Sequence, residues 1–167
     1  MTRHTIPDGI TPIRGIRLWE YTPTPVNYLT GISYVRYHWQ AGVNTAHCNR
    51  TGGDRHVEPH VPGAWASTRD HECGLHVYHG GEVDRFAERE HRVTRFTKKA
   101  IVPGVVEAWG RITVHDYGFR AQYARIVALA QPKWMGPHRV RELQSRYPGV
   151  PFYPSLEAAM TNHLEAA

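Results

Sequence analysis

Two cysteines in 167 residues, and no apolar run near the roughly 20 residues needed to cross a bilayer, argue against a disulfide framework and against a membrane-spanning helix. Also missing are a Gly-x-Ser-x-Gly elbow, a Gly-Lys-Ser/Thr phosphate loop and a Gly-x-Gly-x-x-Gly turn. Gly52-Gly53 and Gly80-Gly81 stand without such flanks, which speaks against esterase-type catalysis and nucleotide hydrolysis. Internal repeats and low-complexity segments are absent as well. The start, Met1-Thr2-Arg3-His4, runs into Pro7-Asp8-Gly9 instead of an apolar signal core, so the expected location is the cytoplasm and no membrane partner is expected.

What is present is ordinary globular material. Apolar residues make up 41% and charged residues 21%, enough to bury a core in a chain of this length. The net charge of +5 biases the surface toward anionic partners. Arginine far outnumbers lysine, in short clusters such as Arg92-Arg95-Lys98-Lys99 and Arg139-Arg141.

Periodicity predicts a flexible arm over 1–14 and one α+β domain over 15–167, built on a bent antiparallel sheet or small barrel with flanking helices. Strands are expected from Gly15 to Tyr21, where Ile16 and Leu18 alternate with Arg17 and Trp19, and from Ile32 to Trp39. Another is expected over Gly74–Tyr78. Acids lead and bases trail from Glu82 to Val93, which predicts an amphipathic helix. Val105–Val114 and Phe119–Leu129 alternate around the turn residues His115-Asp116-Tyr117-Gly118 and predict a β-hairpin. A helical segment begins near His138, and Ser155 offers an N-cap to a last helix from Leu156.

Residues 40–74 are rich in Gly, Pro and His and hold both cysteines, which is long for a loop unless function or a metal holds it. Zinc takes Cys sulfur and His nitrogen in separated pairs. Cys48, His60, His71 and Cys73 are the candidate ligands for one structural zinc, although neither half is a Cys-x-x-Cys pair. The competing reading is exposed loop histidines with two buried thiols.

Basic residues interleaved with aromatics favour nucleic-acid contact. Arg17-Trp19-Tyr21, Arg36-His38 beside Tyr37-Trp39, and Trp109-Arg111 facing Arg120 or Tyr123 fit that pattern. The alternative is that Trp19, Trp39 and Trp109 are core plates with arginine on the wet face. His76 and Tyr78 share a strand face and could line a pocket. Together His76, Tyr78, Trp109, Arg111, His115, Arg120 and Tyr123 form the candidate binding surface; no catalytic residue is assigned. Arg111 and Arg120 are expected to pair with Glu107 or Asp116 or to face an anion. Gly110 is expected to allow close approach, and Gly118 to occupy a positive-φ turn position.

The run Trp109-Gly110-Arg111-Ile112-Thr113-Val114-His115-Asp116-Tyr117-Gly118-Phe119-Arg120-Ala121, preceded by Cys73-Gly74-Leu75-His76, resembles a group of small proteins of actinobacteria and their bacteriophages. Their shared pattern is a Cys-Gly-Leu/Ile strand start, a helix, then Trp-Gly-Arg-x-x-x-His-x-x-Gly-x-Arg-Ala. The likeness covers about residues 70–130 firmly and 15–48 loosely. It implies a Cys-x-Cys-Gly in relatives where this chain has His71-Glu72-Cys73-Gly74, an exchange that keeps a zinc ligand and removes a redox pair. No activity comes with the group.

The hairpin is also similar to PUA-like small barrels that hold modified bases or RNA, a fold-level analogy. The leading expectation is a non-enzymatic phage or prophage-type protein that binds a host macromolecule, protein or nucleic acid, as a host-interaction or cytotoxic accessory protein in the host cytoplasm. The alternatives are a PUA-like nucleic-acid or modified-base binder and a small zinc-dependent enzyme. An exposed sheet edge and several tryptophans allow a homodimer.

Overall fold

A computed structural model describes residues 11–23, 27–32, 38–48, 58–59, 74–82 and 100–164. Its centre is a long antiparallel hairpin, β7 (Ile101–His115) and β8 (Gly118–Ala130), as the alternation of Val, Ile, Ala and aromatic residues requires. Before it come β1 (Ile13–Thr22), β2 (Tyr28–Gly31), β3 (Asn44–Thr45) and β6 (Leu75–Tyr78), while β4 (His47–Cys48) and β5 (Glu58–Pro59) form a separate two-stranded pair. After it come α1 (Pro137–Arg146), β9 (Phe152–Tyr153) and α2 (Leu156–His163). The class is α+β, with a seven-stranded sheet.

β7 lies between β1 and β8, pairing with the first from Ile101 to Ala108 and with the second almost end to end. β6 then joins the outer edges of β1 and β8. Hydrogen bonding therefore runs in a ring, β1-β7-β8-β6. Only one residue pair, Ile16 with Tyr78, links β6 to β1, so the ring is not a regular barrel. The sheet is mixed because β9 adds to β8 in parallel. Among the described residues no helix is long and apolar enough to cross a membrane.

β1 is buried on both faces, unlike a strand with one wet side. Trp19 and Tyr21 face an inner core with Trp39, Val106, Phe119, Leu129, Leu143 and Tyr147. Ile16 and Leu18 face an outer layer with Ile101, Val105 and Ala128, capped by Ala159, Leu156 and Met160 of α2. The expectation of Arg17 on a wet face is therefore corrected. Arg17 is buried inside the ring, where it donates to the His76 carbonyl and lies 4.5 Å from the centre of the Trp39 ring.

α1 opens with Pro137 at its first turn, as suits a residue without an N–H, and buries Leu143. The following Tyr147 hydroxyl accepts from the Leu29 amide at 2.8 Å and donates to the Trp39 carbonyl at 2.9 Å. Burial pushes its phenol above the usual value. α2 starts where Ser155 accepts from the Ala158 amide at 3.1 Å, the cap expected of it.

Two boundaries differ from expectation. β1 begins at Ile13, inside the segment read as a free arm, because Arg14 is anchored in a charged cluster. Of the strand expected from Ile32 to Trp39, residues 33–37 lie outside the described residues, but His38 bridges Thr30 and the Trp39 amide donates to Leu29. The helix expected from Glu82 to Val93 lies outside them too, except that Glu82 closes a 3-10 turn begun at Gly80.

The anchoring cluster centres on Glu107, buried on the outer face of β7. Arg14 Nε and Arg125 Nε each donate to a different Glu107 oxygen at 2.8 Å, and Arg14 Nη1 donates to the His163 carbonyl at the end of α2. Burial by itself would raise the Glu107 carboxyl, but hydrogen bonds and attraction from both guanidiniums bring it below its usual value. His163, within 3.1 Å of the Tyr153 hydroxyl, is shifted down by burial first and by Arg14 second.

Both shifts make acid destabilising. The neutral His163 that folding prefers must charge as pH falls below about 6.5, the free imidazole value, and the ionised Glu107 must protonate below about 4.3. Melting temperature should hold from pH 7 to about 10, the free phenol value above which the raised Tyr147 becomes destabilising, fall gently from pH 6.5 and fall steeply below about pH 4.3. Glu107→Gln should cost about 2–3 kcal/mol near neutral pH, since it leaves two arginines short of a counter-charge, and should flatten the steep acid limb in calorimetric melts. An unchanged acid limb in that variant would remove Glu107 as its cause.

Candidate functional site

β7 and β8 run past the core, so residues 110–117 stand exposed apart from a half-buried Ile112. The neck of this projecting end is a bulge. Trp109 pairs with Tyr123 and Ile112 with Ala121, leaving one extra residue on β7, and Gly110 absorbs it at φ 81°. A Cβ there would sit 2.7 Å from the Tyr123 ring. The bulge re-aims Arg111, whose amide donates to Gln122 Oε1 at 3.3 Å, while Gln122 Nε2 donates to the Tyr123 hydroxyl at 3.1 Å.

Beyond the neck the register sets His76 opposite Arg120 and Thr113 opposite Arg120 on its other side. Arg120 Nε donates to His115 Nε2 at 2.6 Å. That contact requires Nε2 to be an acceptor, so the His115 ring carries its proton on Nδ1. His79 Nε2 lies 3.2 Å from the His115 carbonyl oxygen, and its ring is 6.0 Å from Phe119. By strand alternation the hairpin end carries His76, His115 and Arg120 on one face and Val114, opposite Phe119, on the other; Val114 and the turn residue Tyr117 are 66% and 45% exposed.

Five of the seven expected surface residues belong to this end or its neck: His76, Arg111, His115, Arg120 and Tyr123. Of the other two, Trp109 is withdrawn from the surface and Tyr78 is half-buried. Trp109 is 2% exposed and stacks on Tyr123 with ring centres 6.1 Å apart, so it is a core plate that offers no face to a ligand. Tyr78 packs on the outer core layer. Trp19, Tyr21 and Trp39 are likewise buried, which removes Arg17-Trp19-Tyr21 as a contact face; Arg36 and Tyr37 of the other aromatic-and-basic run lie outside the described residues.

The expected pairing of Arg111 and Arg120 with Glu107 is corrected, since Glu107 is held by Arg14 and Arg125. Gly110 allows the close approach expected of it and also has the positive φ, whereas the positive φ expected of Gly118 is corrected: Gly118 is a second position of close approach, where a Cβ would run into the Val77 carbonyl and sit 2.9 Å from Tyr78 Cα. His79, not among the expected surface residues, belongs to the hairpin end; its place directly after the alternating Leu75–Tyr78 strand was the available signal.

Of the candidate zinc ligands, Cys48 lies on β4 with its backbone alone described, and His60, His71 and Cys73 lie outside the described residues. Among the described residues no group of three or more His, Cys, Asp or Glu side chains is placed to hold a metal. Compared with family models, with curated proteins and with solved structures, the chain matches none.

Chemically, the hairpin end has the makings of a contact surface, with no reaction centre assigned to it from sequence. It offers guanidinium and imidazole donors beside apolar area, on a rigid two-stranded support. Its attachment depends on Gly118, so Gly118→Ala should cost about 2–3 kcal/mol, the range of overpacking in a close-packed site, and lower the melting temperature by roughly 5–10 °C. Gly42→Ala, where an added Cβ meets nothing within 4 Å, is the control and should leave melting unchanged. Equal behaviour of the two variants in a thermal melt would show that β6 does not press on Gly118.

Proposed function

We propose that this chain is a non-enzymatic binding protein of phage or prophage type, which engages a host protein through the projecting end of the β7–β8 hairpin. The observation that carries this reading is the placement of Val114 and Tyr117, two of the four exposed large hydrophobic side chains among the described residues, on a hairpin end whose opposite face carries His115 and Arg120. Exposed apolar side chains on a rigid element, rimmed by charge, have the anatomy of a protein contact. Support also comes from the resemblance of residues 70–130 to the actinobacterial and phage group. The positive net charge suits a partner with an acidic face.

The test compares the full chain with a Val114→Ser/Tyr117→Ser variant as bait in an actinobacterial lysate at moderate salt. Wild type should retain one or a few proteins, and the variant, with unchanged melting, should lose them at least tenfold, since central apolar anchors carry about 2 kcal/mol or more each. Recovery of the same proteins by both baits, or of none by either, would count against the hairpin end.

A further inference from the structure

Another surface, away from the hairpin end, concentrates the charge of the chain. Between Gln131 and Val150 four cationic side chains, Lys133, Arg139, Arg141 and Arg146, accompany one carboxylate, Glu142. That is a surplus of three in a chain whose whole surplus is +5. All four cations are exposed. Glu142 is engaged locally, 3.5 Å from His138 one turn earlier. No ion pair engages Lys133, Arg141 or Arg146 among the described residues, in contrast to the arginines around Glu107.

The helix fixes where these charges point. Leu143 and half-buried Val140 hold one side of α1 against the inner core, which turns Arg139, Arg141 and Arg146 outward. Arg139 and Arg146, seven residues apart, share a flank and are separated by roughly 10 Å along the axis. Beside that flank stands Trp134, 37% exposed, with Arg139 Cζ 5.9 Å from its ring centre. The indole is not loose: its N–H donates to the Ile101 carbonyl at 3.2 Å, and its ring lies 5.9 Å from that of Tyr21.

We infer that the outer face of α1, with Lys133 and Trp134, binds single-stranded nucleic acid. Guanidiniums take phosphate oxygens with fork geometry, and a fixed aromatic edge extended by an arginine gives an unpaired base somewhere to stack. An acidic protein would use the charge but not the ring. A lipid surface would need an apolar stripe, and Trp134 is the one exposed large apolar side chain in this segment. The inference does not rest on the hairpin reading, because the residues of the two surfaces do not overlap.

The test is fluorescence anisotropy of a labelled 20-nucleotide oligothymidine with the full chain, across a salt series. Four phosphate contacts predict that log K falls with log salt at a slope of about −3. Arg139→Gln/Arg141→Gln/Arg146→Gln should weaken binding at least tenfold and reduce the slope to about −1. Trp134→Leu should weaken it about tenfold with little change in slope. Val114→Ser/Tyr117→Ser should bind like wild type, which separates this surface from the hairpin end. No binding by wild type at low salt, a triple variant with wild-type slope, a blunt duplex bound as tightly as the single strand, or polyglutamate competing as well as unlabelled oligonucleotide would each overturn the inference; thermal melts of every variant exclude misfolding as the cause.

Discussion

Strand β6 is four residues long, yet it touches β1 on one side and β8 on the other, because Gly15 and Gly118 present no Cβ where its backbone passes. Gly104 does the same for β7, where a Cβ would meet the Ala128 carbonyl and Trp19. Strands that approach this closely close a ring around large side chains. The inner core then holds Trp19, Trp39 and Phe119 together, with Trp19 and Trp39 edge to face at 5.3 Å. It also leaves nowhere for a partner to reach those rings. The two surfaces proposed for recognition, the hairpin end and the solvent side of α1, accordingly lie outside the ring.

The outer layer is held by a different principle. A single carboxylate, Glu107, sits between two arginines from separate strands, and one of them reaches on to the last turn of α2. The apolar part of that contact, Ile16, Leu18, Val105 and Ala159, supplies area, and the charged part supplies position. Buried ion pairs of this kind are weak sources of net stability and strong sources of register. The arginines at the Glu107 site thus serve the architecture, whereas those on α1 are exposed to solvent.

Local chemistry made the hairpin, the Leu75–Tyr78 strand, the first helix near His138 and the Ser155 cap legible in the sequence, since alternation, turn residues and caps act over a few positions. What was not legible depended on distant chain. Arg17 reads as a wet-face residue until β6 arrives some 59 positions later to accept its hydrogen bond. Trp109 reads as a recognition plate until Tyr123 covers it. Gly110 and Gly118 announce special backbone positions, but which one bends and which one yields space depends on the register of three strands. Trp134, between Pro132 and Pro137, carries no periodic signal of its own, although Arg139 and Arg141 after it were visible as charge.

The parallel pairing of β9 with β8 has a consequence for how the molecule comes into being on the ribosome. A parallel partner cannot arrive by a tight turn, and here the chain travels through α1 before Phe152 meets Leu129. The ring strands β1, β6, β7 and β8 therefore emerge first, while the helix that shelters Ile16, Leu18, Ile101 and Val105 is synthesised last. Until α2 packs, the face formed by Ile16, Leu18, Ile101 and Val105 lacks its cover, and uncovered apolar sheet surface is prone to association.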